Sequence, residues 1–252
     1  MIAKCASIKG PNTRKLLSYC INKPNAKIID QNKLGSENPI EISNEFLRWQ
    51  KLNTRCKNST ISFILSPNPE DSKKLNDLDY LNITHTFLSE LNLENRQYVC
   101  VQHNHQNLTH LHLIINRINE QGKAYSDSFL GRRILKVAHK TATKLGLKTV
   151  KQAREKKMSR LKAIIEPAHK AVLKMSPKTI DEYCLLMKEK GVETKRKYSS
   201  TNKLVGLSFI VNGESIKASA INRNYSASKL AKTISQHLKP KKKFFKKIKP
   251  KL

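Results

Sequence analysis

A chain of 252 residues with 38% hydrophobic side chains has enough apolar material for a core, in one large domain or a main domain with a smaller appendage. Forty-nine Lys and Arg stand against nineteen Asp and Glu, a formal net charge of +30, so the expected partner is a polyanion: nucleic acid first, an anionic membrane surface second. Five scattered cysteines without a CxxC pair exclude a disulfide framework and a zinc ribbon. No apolar run approaches the roughly 20 residues of a transmembrane helix, and the start MIAKCASIKGPNTRK lacks the apolar core of a secretory signal.

In chain order, MIAKCAS reads as a strand broken by Gly10-Pro11-Asn12, and Thr13 caps a helix that Pro24 ends. Residues 30–44 are polar and loop-like, with a short helix in EFLRWQKL. STISFILS (59–66) is a strand, PNPED turns into a helix over about 71–92, and QYVCVQH (97–103) and THLHLIINRI (109–118) are partner strands. A helix over about 130–145 stops at Gly146. The first half is α+β, residues 1–147. A basic helical linker follows over 148–175, then a small C-terminal α+β lobe over 176–238. That lobe holds a capped helix ending at Gly191, a hairpin turning at Asn212-Gly213 and a closing helix. The lysine run over 239–252 has no core and is expected to be disordered until it meets a polyanion.

The stretch HNHQNLTHLHLIIN packs four of the chain's eight histidines into ten positions. Alternate strand residues share a face, so His110 and His112 point one way and Leu111 and Leu113 the other. If the two strands form a hairpin, His103 joins them from across the turn. Three imidazoles with positions left open suit a divalent cation that also binds a substrate oxygen; a solvated strand face is the plainer alternative. His105 could orient a ligand, ligate itself or be a plain loop residue. A cation beside so basic a surface suggests phosphodiester chemistry, which needs water or a side chain as nucleophile. Tyr19, in KLLSYCIN, is one candidate.

In these residues the sequence resembles the relaxases, the mobilization nucleases of the HUH endonuclease class (MobP-like). The opening MIAK strand and LLSY helix (16–19), the ISFILSPNPED segment carrying Ser66 and Glu70, and the set His103, His110, His112 and Asn116 occur in that family's order. The resemblance spans nearly the whole chain except the lysine tail. It implies a two-layer sandwich whose central antiparallel sheet carries the histidines and is flanked by helices. It implies that Tyr19 attacks the scissile phosphate at an origin of transfer, leaving a 5′-phosphotyrosyl strand and a 3′-hydroxyl, and that the strand is rejoined after transfer. His103, His110 and His112 would hold Mg²⁺ or Mn²⁺. The family commonly has Asp where this chain has His105, so His105 becomes the candidate proton acceptor.

Ser66, Asn116 and Arg117 are candidate DNA contacts, as are Lys148, Lys151, Arg154, Lys156, Lys157 and Arg160 in the basic stretch. The partners implied are single-stranded DNA at the origin, an accessory mobilization protein of the relaxosome and a coupling and secretion machinery. The implied place is the bacterial cytoplasm, with export alongside the transferred DNA. Two alternatives stand: a rolling-circle replication initiator using a later tyrosine, Tyr198 or Tyr225, and a non-catalytic basic DNA- or RNA-binding protein.

Overall fold

The computed structural model describes residues 1–105 and 108–237. The lysine tail and the tip of the histidine hairpin lie outside the described residues. The chain divides into two compact units, Met1–Ala153 and the part from Arg154 onward.

The first unit runs β1 (Ile2–Ile8), α1 (Thr13–Ile21), β2 (Ala26–Asn32), α2 (Pro39–Gln50), β3 (Thr60–Ser66), α3 (Pro69–Ser72), α4 (Asp77–Ser89), β4 (Tyr98–His105), β5 (Leu108–Asn116) and α5 (Leu130–Lys144). Its five strands form one antiparallel sheet in the order β1-β3-β5-β4-β2. Helices cover both faces. Phe63, Leu65, Cys100, Leu111, Leu113 and Ile115 meet α4 and α5 in the larger core. Val99, Val101 and Ile114, the alternate residues, meet Leu17 and Cys20 of α1 and Ile42 and Phe46 of α2. The histidine-bearing positions continue this second face.

Two elements reach into the stretch expected to be loop: β2 ends within it, and α2 begins six residues before the helix expected in EFLRWQKL. The edge strand β2 is only half-buried along its length, so no apolar alternation advertises it. The helix α2 starts where Asn38 Oδ1 accepts from Ile40 N–H at 2.9 Å with Pro39 in the first turn, and it buries Ile42, Phe46 and Gln50 at helical spacing. The helix expected over 71–92 is two pieces. Asn76 restarts the chain with a reciprocal capping box to Asp79.

The second unit holds most of α6 (Val150–Lys174), then α7 (Ile180–Glu189), β6 (Glu193–Tyr198), β7 (Leu204–Val211), β8 (Glu214–Lys217), α8 (Ala218–Ile221) and α9 (Ala227–His237). The strands make a three-stranded antiparallel sheet, β6-β7-β8. Asn212 (φ 50°) and Gly213 (φ 77°) form the tight turn of β7–β8, a left-handed pair that Asn-Gly adopts with little strain. The expected linker over 148–175 is not one. Within α6, Leu161, Ile165, Ala168, His169 and Val172 are buried in the second core, a stripe masked in sequence by the lysines between them. His169 Nδ1 lies 2.7 Å from Tyr183 Oη and its ring stacks 3.7 Å from that of Tyr225. Burial pushes the His169 imidazole down to about 4, so it is neutral near pH 7.

Candidate active site

The site is a row of side chains on the α1/α2 face of the first sheet. His103 on β4 opposes His110 on β5, and His112 opposes Val101 one step further along. Their rings reach diagonally across the ladder, with the centroids of His103 and His112 4.2 Å apart. On the other side of β5, Ser66 follows Leu65, which opposes Leu111, and Ser66 Oγ is hydrogen-bonded to His110 Nδ1 at 2.7 Å. These strands are flanked by β3 and β2, so the row sits in the interior of the sheet. His103 is buried, while His110 and His112 are half-buried.

Helix α1, which carries Tyr19, is fastened to this row through the carbonyl of the next residue, Cys20. Thr13, Leu17 and Cys20 face inward at helical spacing, which turns Tyr19 outward with 58% of its surface exposed. The helix is fastened at both ends. At its start, Thr13 Oγ1 bonds Thr60 Oγ1 at 2.7 Å, and Gln50 Nε2 donates to the same Thr60 hydroxyl at 3.0 Å. At its end, His103 Nε2 donates to the Cys20 carbonyl at 2.6 Å. That carbonyl belongs to the last turn, where helix acceptors lack partners within the helix. A carbonyl only accepts, so the proton of a neutral His103 sits on Nε2 and the lone pair on Nδ1. The residue before this fastening is Tyr19.

Lys23 is a neighbour that the sequence did not single out. Its Nζ donates to Tyr19 Oη at 2.6 Å and lies 4.0 Å from the centre of the tyrosine ring. The four-residue spacing after Tyr19 was the available signal. The Cys20 thiol, next to Tyr19, is pushed up to about 11 by burial, which keeps it protonated and inert.

Three imidazoles on one sheet face are the donor types a divalent ion takes. A Ser66 hydroxyl on His110 Nδ1 is the kind of outer bond that orients a ligating ring. Among the described residues, no group of three or more His, Cys, Asp or Glu is disposed to hold a metal ion. To hold an ion, His103 would have to use Nδ1 or release the Cys20 carbonyl. The fit is thus in donor chemistry and shared face. His105 lies at the end of β4, and its side chain is outside the described residues.

Two residues expected to contact DNA, Asn116 and Arg117, are engaged within the fold. Asn116 is fully buried: its Nδ2 donates to Phe46 O (3.0 Å) and Gln97 Oε1 (2.8 Å), and its Oδ1 accepts from Ile118 N–H at 3.1 Å. The Arg117 guanidinium donates to Tyr125 O, Asn58 O and Asp127 Oδ1, and its side chain is 14% exposed. In the basic stretch, Lys148 pairs with Glu70, and Lys157 and Arg160 both pair with Glu214. Lys151, Arg154 and Lys156 are exposed on α6. Of the rival tyrosines, Tyr198 is 45% exposed, while Tyr225 is 7% exposed and burial raises its phenol above the ordinary range, with Glu166 adding to the effect.

No curated protein sequence matches the chain. A solved structure described as "Molecular Basis of Vancomycin Resistance Transfer in Staphylococcus aureus" is similar at a TM-score of 0.38 and 14% identity, covering 57% of this chain and 93% of that one. The family model described as "Relaxase: MobA/VirD2-like, nuclease domain" matches residues 19–147, a span that opens at Tyr19 and contains all three histidines of the row. With just over half its length matched and an antiparallel sheet carrying the row between two helical layers, the chain belongs to the MobA/VirD2-like relaxase family.

Proposed function

We propose that this relaxase nicks one DNA strand at an origin of transfer with Tyr19 as nucleophile. A bond forms between Tyr19 Oη and the scissile phosphorus, and the bond from phosphorus to the 3′-oxygen breaks. The phenol proton leaves and the 3′-oxygen gains one, giving a 5′-phosphotyrosyl strand and a 3′-hydroxyl. The link conserves the phosphodiester, so attack by a 3′-hydroxyl reverses it and rejoins the strand. The observation that carries this reading is an exposed tyrosine one residue before the carbonyl that His103 holds. His103, His110 and His112 are the proposed ligands of Mg²⁺ or Mn²⁺, which when bound polarises a phosphoryl oxygen. His105 is the proposed proton acceptor, or a residue orienting the ligands. Ser66 bonds His110 and so acts through it. The partners proposed are single-stranded origin DNA, an accessory relaxosome protein and a coupling and secretion machinery, with the chain working in the cytoplasm and leaving with the DNA. Among the described residues no helix is long and apolar enough to cross a membrane.

The test is direct. The protein is mixed with single-stranded oligonucleotides carrying the origin of its own element and Mg²⁺ or Mn²⁺, then resolved on a denaturing gel. A protein–DNA adduct that chelator prevents is expected. No adduct from the wild type under either metal sinks the reading.

Lys23 has a role in the same step. An ammonium donating to the phenolic oxygen steadies the charge that develops there when tyrosine attacks and when it later departs. Lys23→Ala is expected to slow adduct formation by about ten- to a hundredfold, the range for one charge-assisted contact at a reacting oxygen. Single-turnover rates of adduct formation and of religation should fall together, and oligonucleotide affinity should change far less.

A further inference from the structure

The family match ends at residue 147, and no function is assigned to the second unit. Between residues 154 and 237 it carries eighteen Lys and Arg against seven Asp and Glu. Its sheet is one-sided. Leu207, Phe209 and Val211 of β7 point into the core formed with α6, α7 and α9. The alternate residues Gly206 and Ser208 therefore face the other way. In register, Ser208 lies between Lys195 of β6 and Lys217 of β8, and Gly206 lies beside Lys197. Lys195, Lys197 and Lys217 are all exposed, and none has an acidic partner among the described ion pairs. Of the nearby acids, Asp181 pairs with Arg196 and Glu214 with Lys157 and Arg160; Glu193, opposite Ile210 at the far end of β6, is the one carboxylate in the lysine row, against three ammonium groups.

These positions line a groove of about 680 Å³. Small residues form its floor, so a chain can lie close to the backbone of β7. A Cβ on Gly206 would stand 3.3 Å from that of Lys197, tighter than ordinary contact. Ser226 and Ala227, at the start of the eleven-residue α9, also line it. The first N–H groups of that helix have no partner within the helix and carry partial positive charge.

We propose that this sheet face is a second binding site of the protein, for the phosphodiester backbone of DNA. Three unpaired ammonium groups in two rows, a floor of Gly and Ser, and a helix start all complement a line of phosphates. Lys195 and Lys217 lie two strand spacings apart, roughly 10 Å, so they reach phosphates along one backbone rather than one isolated phosphate. The choice of DNA over other polyanions rests on the nicking reading; the cationic face does not.

The experiment uses the full chain and fluorescence polarisation across a salt series, with a duplex and a single-stranded oligonucleotide of unrelated sequence. Each phosphate contact adds about 0.9 to the slope of log K against log salt for duplex and about 0.7 for single strands. The variant Lys195→Ala/Lys197→Ala/Lys217→Ala is expected to lower the slope by about 2–3 and to bind at least tenfold more weakly at moderate salt. A matched variant, Lys174→Ala/Lys188→Ala/Lys190→Ala, removes the same charge from exposed positions on or beside α6 and α7, and is expected to stay near wild type. Arginines at the three groove positions should preserve the slope. Loss with either form of DNA supports the site and names the form it takes. An unchanged slope in the groove variant, or an equal fall in the matched one, overturns the proposal. So does loss of binding to phosphatidylserine vesicles with DNA binding intact. The adduct assay is run in parallel: a wild type that forms no adduct but shows the slope change ends the nicking reading and leaves this one standing.

Discussion

Tyr19→Phe is expected to abolish the covalent protein–DNA adduct and to reduce nicking by at least about a thousandfold, the scale on which loss of a covalent nucleophile is felt. The substitution removes one oxygen from a largely exposed side chain, and the buried residues of α1 are Thr13, Leu17 and Cys20. Stability should therefore stay within about 0.5 kcal/mol of wild type, and oligonucleotide binding should persist. The comparison variants are Tyr225→Phe and Tyr198→Phe. Tyr225 is packed against His169 and cannot approach a phosphate without opening the second core. Both should keep the adduct. An adduct that survives Tyr19→Phe and disappears in Tyr198→Phe would move the nucleophile and break the link between α1 and the histidines.

Asn116→Ala separates a DNA contact from a structural one. The amide is saturated by three partners on α2, before β4 and after β5, and it is sealed from water. Truncation leaves the Phe46 carbonyl, the Gln97 carboxamide and the Ile118 N–H buried without it. An unsatisfied buried group costs about 1–3 kcal/mol, so a total loss of about 3 kcal/mol is expected, read as a lower midpoint in urea with an unchanged slope. The salt dependence of DNA binding by the folded variant should match wild type. A stable variant with a shallower salt slope would return Asn116 to the DNA surface.

The hairpin of the site was legible because strand periodicity needs few residues: HxH on an apolar run places both rings on one face whatever the rest of the fold does. The helix α1 was legible from the close spacing of Leu16, Leu17 and Cys20, but not its cap: Asn12 holds the N-cap position, and the Thr13 hydroxyl expected there bonds Thr60 instead. The edge strands β2 and β6 were not. One is half-buried along its length and the other reads ETKRKY, so neither carries the alternation that a two-faced strand shows. Asn116 shares a face and a spacing with His112, which left a DNA contact and a backbone bond at the strand end both open in sequence; the close approach of α2 to the end of β5 makes it internal. The bond from His103 to Cys20 was beyond sequence altogether, since it joins a side chain to a backbone oxygen 83 residues away. The unpaired lysines of the second sheet needed the register of three strands, one of which had no sequence signal.

The order of closure follows from the same separation. His103 and His110 are seven residues apart in the chain and meet across a local hairpin. Helix α1 is tied to them, at the Cys20 carbonyl, only when a span more than ten times longer is closed, and each doubling of such a span adds about 0.6 kcal/mol of chain entropy. The two halves of the site therefore have unequal claims to permanence. A partial opening that lifts α1 from the sheet carries Tyr19, the proposed nucleophile, away while the imidazoles stay assembled, and hydrogen exchange should find the amides of α1 less protected than those of β4 and β5.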